Sequence, residues 1–390
     1  MAIIQFTGFE CGEDEFTSAT PPLVGTVSIQ SAIKRSGGYA LRVNPAAAGD
    51  GFIGIHGLAS TGITETSFGD TTMAIRFYFY VATLPTTTTS TIAATNNISI
   101  FIQIGTDGKL RLGLNSGATF TSYTATALAL STWYRIDLEY VVSATGSYNL
   151  LINGVSELSS GSADLGTSAT GNFNLGRTAT SGDAIDFYYD DVCIADTNVA
   201  IGPGFTVRMD PDGAGYSAWA AQVGTFADAD DYSAAVGNDG DTTHIHNGSG
   251  GAEALGLALE SAASAGVHSG PIRATKAVVV CRDESATVAW RIGTRSSTTN
   301  AVLTTLDGGA TYVASGSIKN HVRTTAPHNS LAWTKADLDG AQVVCDKTQT
   351  QSRALRCTAM ALCVECDTTG IENYFPLMPG SGGQKARLRR

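Results

Sequence analysis

The segment LSTWYRIDLEYVVSATGSYNLLINGV, residues 130–155, followed by GNFNLGRTATSGDAIDFYYDDVCIAD, residues 171–196, decides how this chain folds. Trp133, Arg135, Asp137 and Glu139 alternate with Tyr134, Ile136, Leu138 and Tyr140, and a period of two is that of a strand with one buried face. Asn153-Gly154 supplies the positive-φ pair that a tight hairpin demands. The block therefore predicts three or four antiparallel strands.

The same pattern extends outward from it. Strands are expected at Ile3–Phe9, Thr26–Gln30, Tyr39–Val43, Thr72–Val81, Ile98–Ile104, Leu110–Leu114, Trp133–Val142, Tyr148–Ile152, Gly171–Leu175 and Ala184–Ile194. In MAIRFYFYVA aromatic and β-branched residues alternate between two faces, as in the central strand of a packed sandwich. Asp107-Gly108 closes a second hairpin, and the threonine-rich TLPTTTTSTIAATNN, residues 83–97, reads as a loop.

The chain has 390 residues, enough for two domains that bury cores without crosslinks. Hydrophobic residues make up 43% and charged residues 15%, with 44 glycines, a composition of short strands and many turns. The fold class expected is all-β: two β-sandwiches at residues 1–200 and 201–370, then an extended tail at 371–390. A net charge of −11 opposes binding to nucleic acid or anionic membranes. No apolar run approaches the roughly 18 residues of a membrane span, so no membrane insertion is expected. The N-terminus lacks the basic and apolar regions of a signal peptide, and reads as a first strand beginning almost at Met1. The seven cysteines lack the dense spacing of a secreted disulfide framework and are expected to be reduced and buried. Cys363 and Cys366 have CxxC spacing, but on a strand they point to opposite faces.

The order Trp133, Asn153-Gly154, Leu175-Gly176 and Asp190-Asp191-Val192, with QFTGFECGEDEF and RSGGYALRV before it, resembles the concanavalin A-like lectin/glucanase (laminin G-like) jelly roll. That resemblance spans nearly all of the first domain and implies a binding scaffold. It also implies a calcium position at Asp190 and Asp191, with packing or edge capping as the alternative; no cofactor is required.

DTNVAIGPGF, residues 196–205, reads as a linker because Gly202-Pro203-Gly204 breaks regular structure. Beyond it, strands are expected at Ile272–Arg282, Thr287–Thr294, Gly316–Thr324, Gln342–Lys347 and Ala354–Glu365, and short helices at Gly251–Ala263 and Thr334–Leu338. Trp219, Asp230-Asp231, Asp239-Gly240-Asp241-Thr242-Thr243 and Trp333-Thr334 resemble a module that follows laminin G-like domains in virion proteins of tailed bacteriophages. In the tail, Tyr374, Phe375, Leu377 and Met378 form an apolar hook, and Lys385, Arg387, Arg389 and Arg390 a basic end. They read either as a disordered terminus or as an interface arm for a neighbouring subunit.

Catalytic signatures are missing. The Glu-x-Asp-x-Glu triplet that jelly-roll glucanases place on one strand face does not occur, and Asp137 and Glu139 read as a solvated outer face. No GxSxG elbow is present. His244 and His246 with Asp241 are a weak metal candidate, and Asp210-Pro-Asp212-Gly213 and Asn238-Asp-Gly-Asp241 are turn-like calcium candidates. Tyr78, Tyr80, Tyr123, Tyr188 and Tyr189 are the rings that could stack on a sugar, some of which must be core. These observations converge on a non-enzymatic virion protein displayed on a tail, baseplate or capsid surface. Made in the host cytoplasm, it would have as partners copies of itself, other virion proteins and a host-surface glycan. A secreted or displayed carbohydrate-binding module or adhesin is the alternative, with a divergent polysaccharide hydrolase behind it.

Overall fold

A computed structural model describes residues 2–12, 23–47, 49–58, 65–66, 68–95, 99–115, 117–177, 182–217, 222–223, 245–247, 254–268, 270–283, 288–296, 311–312, 317–326, 330–347 and 355–368. Among these, strands dominate and form four antiparallel sheets. The first sheet runs in the order Val155–Ala163, Gly146–Ile152, Trp133–Val141, Thr72–Thr83, Asp186–Ala195, Ala40–Val43 and Val27–Gln30, with Ile3–Thr7 also paired to Asp186–Ala195. The second runs Thr119–Phe120, Leu110–Leu114, Ile100–Ile104, Ser90–Thr95, Asn172–Arg177, Gly51–Leu58 and Leu23–Gly25, with Glu65–Thr66 at its margin. Trp133–Val141 pairs in register with Thr72–Thr83 from Trp133 opposite Tyr80 to Val141 opposite Thr72. Asn153 and Gly154 turn the next hairpin with φ of 51° and 85°.

The two sheets enclose a core that follows the predicted alternation. Ile136, Leu138 and Tyr140 point into it, beside Met73, Ile75, Phe77, Phe79 and Val81 from the neighbouring strand. The threonine-rich segment departs from expectation. Ser90–Thr95 is a strand inside the second sheet rather than part of a loop, because Ile92, Ala93 and Thr95 are fully buried and β-branched threonine suits a pleated surface.

The second sandwich pairs a sheet ordered Gln222–Val223, Ile245–Asn247, Leu355–Asp367, Ile272–Asp283 and Ser317–Arg323, with Gly204–Met209 beside Leu355–Asp367, against one ordered Pro211–Ser217, Ala254–Leu259, Ala341–Lys347, Val288–Ser296 and Thr311–Tyr312. The helix expected from Gly251 is instead the strand Ala254–Leu259. Leu255, Leu257 and Leu259 are buried at a spacing of two, and that burial overrides the helix propensity of alanine and leucine. The other expected helix forms at Lys335–Asp339. Thr334 caps it through a reciprocal bond with Asp337, and Leu338 anchors it in the core. No helix among the described residues is long and apolar enough to cross a membrane.

A third buried layer joins the sandwiches. The outer face of the first sheet, with Phe6, Ala74, Cys193 and Ala195, packs on the outer face of the third, with Ala274, Val278, Val280, Ala359, Ala361 and Cys363. Four sheets are thus stacked with three interiors between them. The middle one mixes alanine and cysteine with Ile3, Phe6, Ile201, Val278 and Val280.

Candidate functional site

Two features carry chemistry: the seam between the sandwiches and an aromatic patch on the far side of the first sandwich. The seam is organised by Asp190 and Asp191. Pairing between Asp186–Ala195 and Thr72–Thr83 slips by one residue between Asp190 and Cys193, and Asp191 at this bulge has φ of 48°. The left-handed turn aims the Asp191 carbonyl at Arg76, whose Nε and Nη2 donate to it at 3.1 and 2.9 Å. The Asp191 carboxylate accepts from Arg35 Nη1 at 2.5 Å, from the Ser36 hydroxyl at 2.7 Å and from the Thr206 amide at 2.7 Å. Thr206 belongs to the second sandwich, so Asp191 ties the Arg35–Ser36 turn of one sandwich to the first strand of the other.

Arg76 completes the link. Its Nη1 donates to Glu365 Oε1 at 2.7 Å, and both side chains are 0% exposed. Burial alone would lower the Arg76 pKa, but Glu365, together with Cys193 and Tyr78, more than offsets it and holds the guanidinium charged. Glu365 also accepts from Thr206 Oγ1 at 3.2 Å and from Arg273 at 3.4 Å, while Arg273 reaches Asp367 at 3.0 Å. Lys276 Nζ donates to the Phe6 carbonyl at 2.5 Å from the opposite side.

Asp190 is fully buried. Its Oδ2 accepts from the Arg35 and Ser36 amides at 2.8 and 3.2 Å. Burial, then the charges of Asp191 and Glu10, push its carboxyl well above the usual carboxylate range. The sequence-derived calcium position is therefore ringed by protein donors, and the cation facing Asp191 is Arg35. An ion there would have to displace that guanidinium. Among the described residues no group of three or more His, Cys, Asp or Glu side chains is placed to hold a metal.

Asp137 corrects the expectation of a solvated face. It is 1% exposed, paired with Arg135 Nε at 2.7 Å, and its Oδ1 has no partner. Burial raises its pKa against the opposing pull of Arg135, Arg76 and Arg273. Glu139 instead accepts from Asn149 at 3.1 Å. The two carboxylates that share this strand face are thus engaged separately and do not form an acid–base pair.

The aromatic candidates separate cleanly. Tyr189 is core, its hydroxyl donating to the Ile92 carbonyl at 2.8 Å. Tyr78, Tyr80 and Tyr188 lie on the outer face of the first sheet but are buried there. Arg35 covers the Tyr78 ring at 3.4 Å, and Tyr80 packs between Trp133 and Tyr188. Only Tyr123 of the five is exposed, at 41%.

Beside Tyr123 stand residues that sequence reasoning missed. Phe120 is 47% exposed, and the Arg111 guanidinium lies 4.3 Å from its ring centre and 5.2 Å from that of Tyr123. Gln103 Oε1 accepts from Arg111 Nε at 2.9 Å and fixes its plane. Phe101 meets Phe120 edge-on at 5.9 Å and lies flat over Gly113, where a Cβ would come within 2.0 Å of its ring. Thr121 and Thr124 lock the segment to the Leu110–Leu114 strand by accepting from the Leu112 and Leu110 amides, both at 2.9 Å. The available signal was Phe120 and Tyr123 in a polar stretch, at positions with no core-facing period.

His244, Asp241, Asn238 and the whole interface arm, from Tyr374, Phe375, Leu377 and Met378 to Arg387, Arg389 and Arg390, lie outside the described residues. His246 sits on the strand Ile245–Asn247, and Asp210 pairs with Arg208 at 2.6 Å. Cys363 and Cys366 occupy opposite faces of their strand, one in the seam and one in the core of the second sandwich.

No curated sequence relative matches the chain. Among solved structures it is similar to the cellulose-induced protein Cip1, at 18% identity over 51% of this chain and 100% of that one, with a TM-score of 0.38. It is also similar to an endo-β-1,4-glucuronan lyase from the fungus Trichoderma reesei, at 17% identity over 44% and 87% of the two chains, TM-score 0.32. A third similarity is to a Trypanosoma rangeli sialidase in complex with sialic acid, at 14% identity over 51% and 31%, TM-score 0.35. Likeness at this level is no argument for a shared activity. Residues 57–200 match the family model described as the Concanavalin A-like lectin/glucanases superfamily, and the first sandwich accordingly contains a concanavalin A-like domain.

Proposed function

We propose that this chain is a non-enzymatic structural protein of a tailed-bacteriophage particle, displayed on its tail, baseplate or capsid surface. In this reading the two sandwiches act as one rigid body that meets copies of itself and other particle proteins, after synthesis in the host cytoplasm. The observation that supports it is the seam. A sheet face that could have formed an open groove is covered by the second sandwich and tied to it through Arg76, Glu365 and Asp191. Such a seam suits load and display better than turnover, and the carboxylates on that face are committed to arginine and asparagine. The resemblance of Trp219, Asp239-Gly240-Asp241 and Trp333-Thr334 to phage virion modules points the same way. Mass spectrometry of purified particles should find the chain in many copies per particle; particles that lack it would end this reading.

A carbohydrate-contacting role is favoured by the Phe120–Arg111–Tyr123 patch. Exposed rings stack on pyranose faces, and a fixed guanidinium pairs with a carboxylate. The matching ligand is an acidic surface polysaccharide of the host. Titration with uronic-acid oligosaccharides should give binding that Phe120→Ala abolishes, with no release of reducing ends. Binding unchanged in that variant would remove the patch from the account.

A further inference from the structure

The seam holds one pair of side chains outside its ion network. Cys11, beyond the first strand, and Cys363, on Leu355–Asp367, bring their sulfurs to 3.6 Å across the boundary between the sandwiches, 352 residues apart in sequence. They are 1% and 0% exposed, and neither is in a disulfide. A disulfide spans about 2.05 Å, so each sulfur has less than about 1 Å to travel.

Arg208 stands beside both. Its Nη1 donates to the carbonyl of Glu10, the residue before Cys11, at 2.5 Å. Although burial opposes its charge, interaction with Cys11, Asp210 and Cys363 keeps the guanidinium protonated. The other seam cysteine, Cys193, has its thiol pushed up chiefly by burial, as has Cys366 on the far face of the strand.

We propose that Cys11 and Cys363 are a redox-operated staple, reduced in this structure and closing into a disulfide that covalently joins the two sandwiches. The oxidant is a small-molecule disulfide. One cysteine thiolate attacks a sulfur of the oxidant and releases one thiolate, leaving a mixed disulfide. The second cysteine loses its proton and attacks the protein sulfur of that mixed disulfide, releasing the other half of the oxidant as thiol. Two protein thiols and one small disulfide become one protein disulfide and two small thiols. Because both sulfurs are buried, exchange proceeds through transient opening of the seam and is slow. The staple stands whether or not the chain belongs to a particle. If it does, release from a reducing cytoplasm into an oxidising medium is the moment of closure.

The test is incubation of the full chain with oxidised glutathione, followed by alkylation in denaturant and non-reducing peptide mapping. Two fewer of the seven cysteines should be alkylated than in the untreated chain, a Cys11–Cys363 linked peptide should appear, and the closed loop should migrate faster on a non-reducing gel until dithiothreitol is added. Cys11→Ser and Cys363→Ser should each abolish the linked species, whereas Cys193→Ser and Cys366→Ser should not. An unchanged number of alkylated cysteines, arrest at the mixed disulfide, or pairing of Cys363 with Cys366 or with a second chain would overturn the proposal. The wild-type peptide map decides this even if a variant fails to fold.

Discussion

The interior of the first sandwich and the seam between the sandwiches are both buried, yet they are built differently. The interior is built of large aliphatic and aromatic side chains: Phe79 packs edge-on against Phe187 at 5.2 Å, and Phe77 contacts Phe173 and Tyr189 at 6.2 and 5.9 Å. The seam mixes alanine, cysteine and a few larger apolar side chains with buried charge. Large apolar rings give stabilisation that tolerates small shifts in position, since burial is non-directional. A smaller apolar layer crossed by Arg76–Glu365 gives less apolar burial but fixes one relative position of the two sheets, because any other leaves a charge unpaired.

The contrast breaks most visibly at Glu365. Glu365→Ala strands the Arg76 guanidinium and should cost about 3–5 kcal/mol in urea unfolding, with the two sandwiches then melting separately. Phe79→Ala in the interior should cost a similar amount, about 3–5 kcal/mol, but without splitting the transition. Replacing both seam partners with apolar residues, Arg76→Met with Glu365→Leu, should recover most of the loss in stability. If Glu365→Ala left unfolding unchanged, the seam would be ornamental.

Next in size is Ala361→Leu, which overfills the seam and should cost about 1–3 kcal/mol; a leucine accommodated there at no cost would show that the layer is not close-packed.

A third test uses pH. Asp190 is held above its ordinary pKa by burial, Asp191 and Glu10, so the folded state binds its proton more tightly than the unfolded chain does. Its stabilising contribution is full below the ordinary carboxylate range and falls as pH rises through the raised value. Relative to Asp190→Asn, the wild type should therefore lose melting temperature from about pH 4 upward. Parallel curves for the two proteins would contradict the assignment.

The smallest effects belong to the surface. Arg111→Ala should change stability by no more than about 0.5 kcal/mol while weakening binding to acidic saccharides. Because Arg35 supplies the charge facing Asp191, chelator should leave the melting temperature unmoved; a fall on adding EDTA would reinstate an ion there.

How much of this was legible in the sequence follows from the same contrast. The Trp133–Val141 alternation and the Asn153-Gly154 turn are local patterns, and the structure repeats them nearly residue for residue. Ser90–Thr95 was hidden because threonine serves loops and strands alike. The seam was hidden for a different reason. A polar outer face looks the same in sequence whether water or another sheet covers it, and Asp137 was read accordingly. The usable signal was a charge inside an otherwise apolar strand: Arg76 in MAIRFYFYV, Lys276 in ATKAVVVC and Glu365 in ALCVECD. Arg76 and Glu365 have apolar neighbours on both sides and Lys276 opens an apolar run, so solvent was an implausible partner and an opposite charge or carbonyl from elsewhere in the chain was required.

The central claim is that the seam makes the two sandwiches one cooperative unit, and differential scanning calorimetry tests it most directly. Reduced wild-type protein should unfold in a single transition with calorimetric and van't Hoff enthalpies in agreement. Two separate transitions, each with its own enthalpy and neither moved by Glu365→Ala, would show two sandwiches that merely touch.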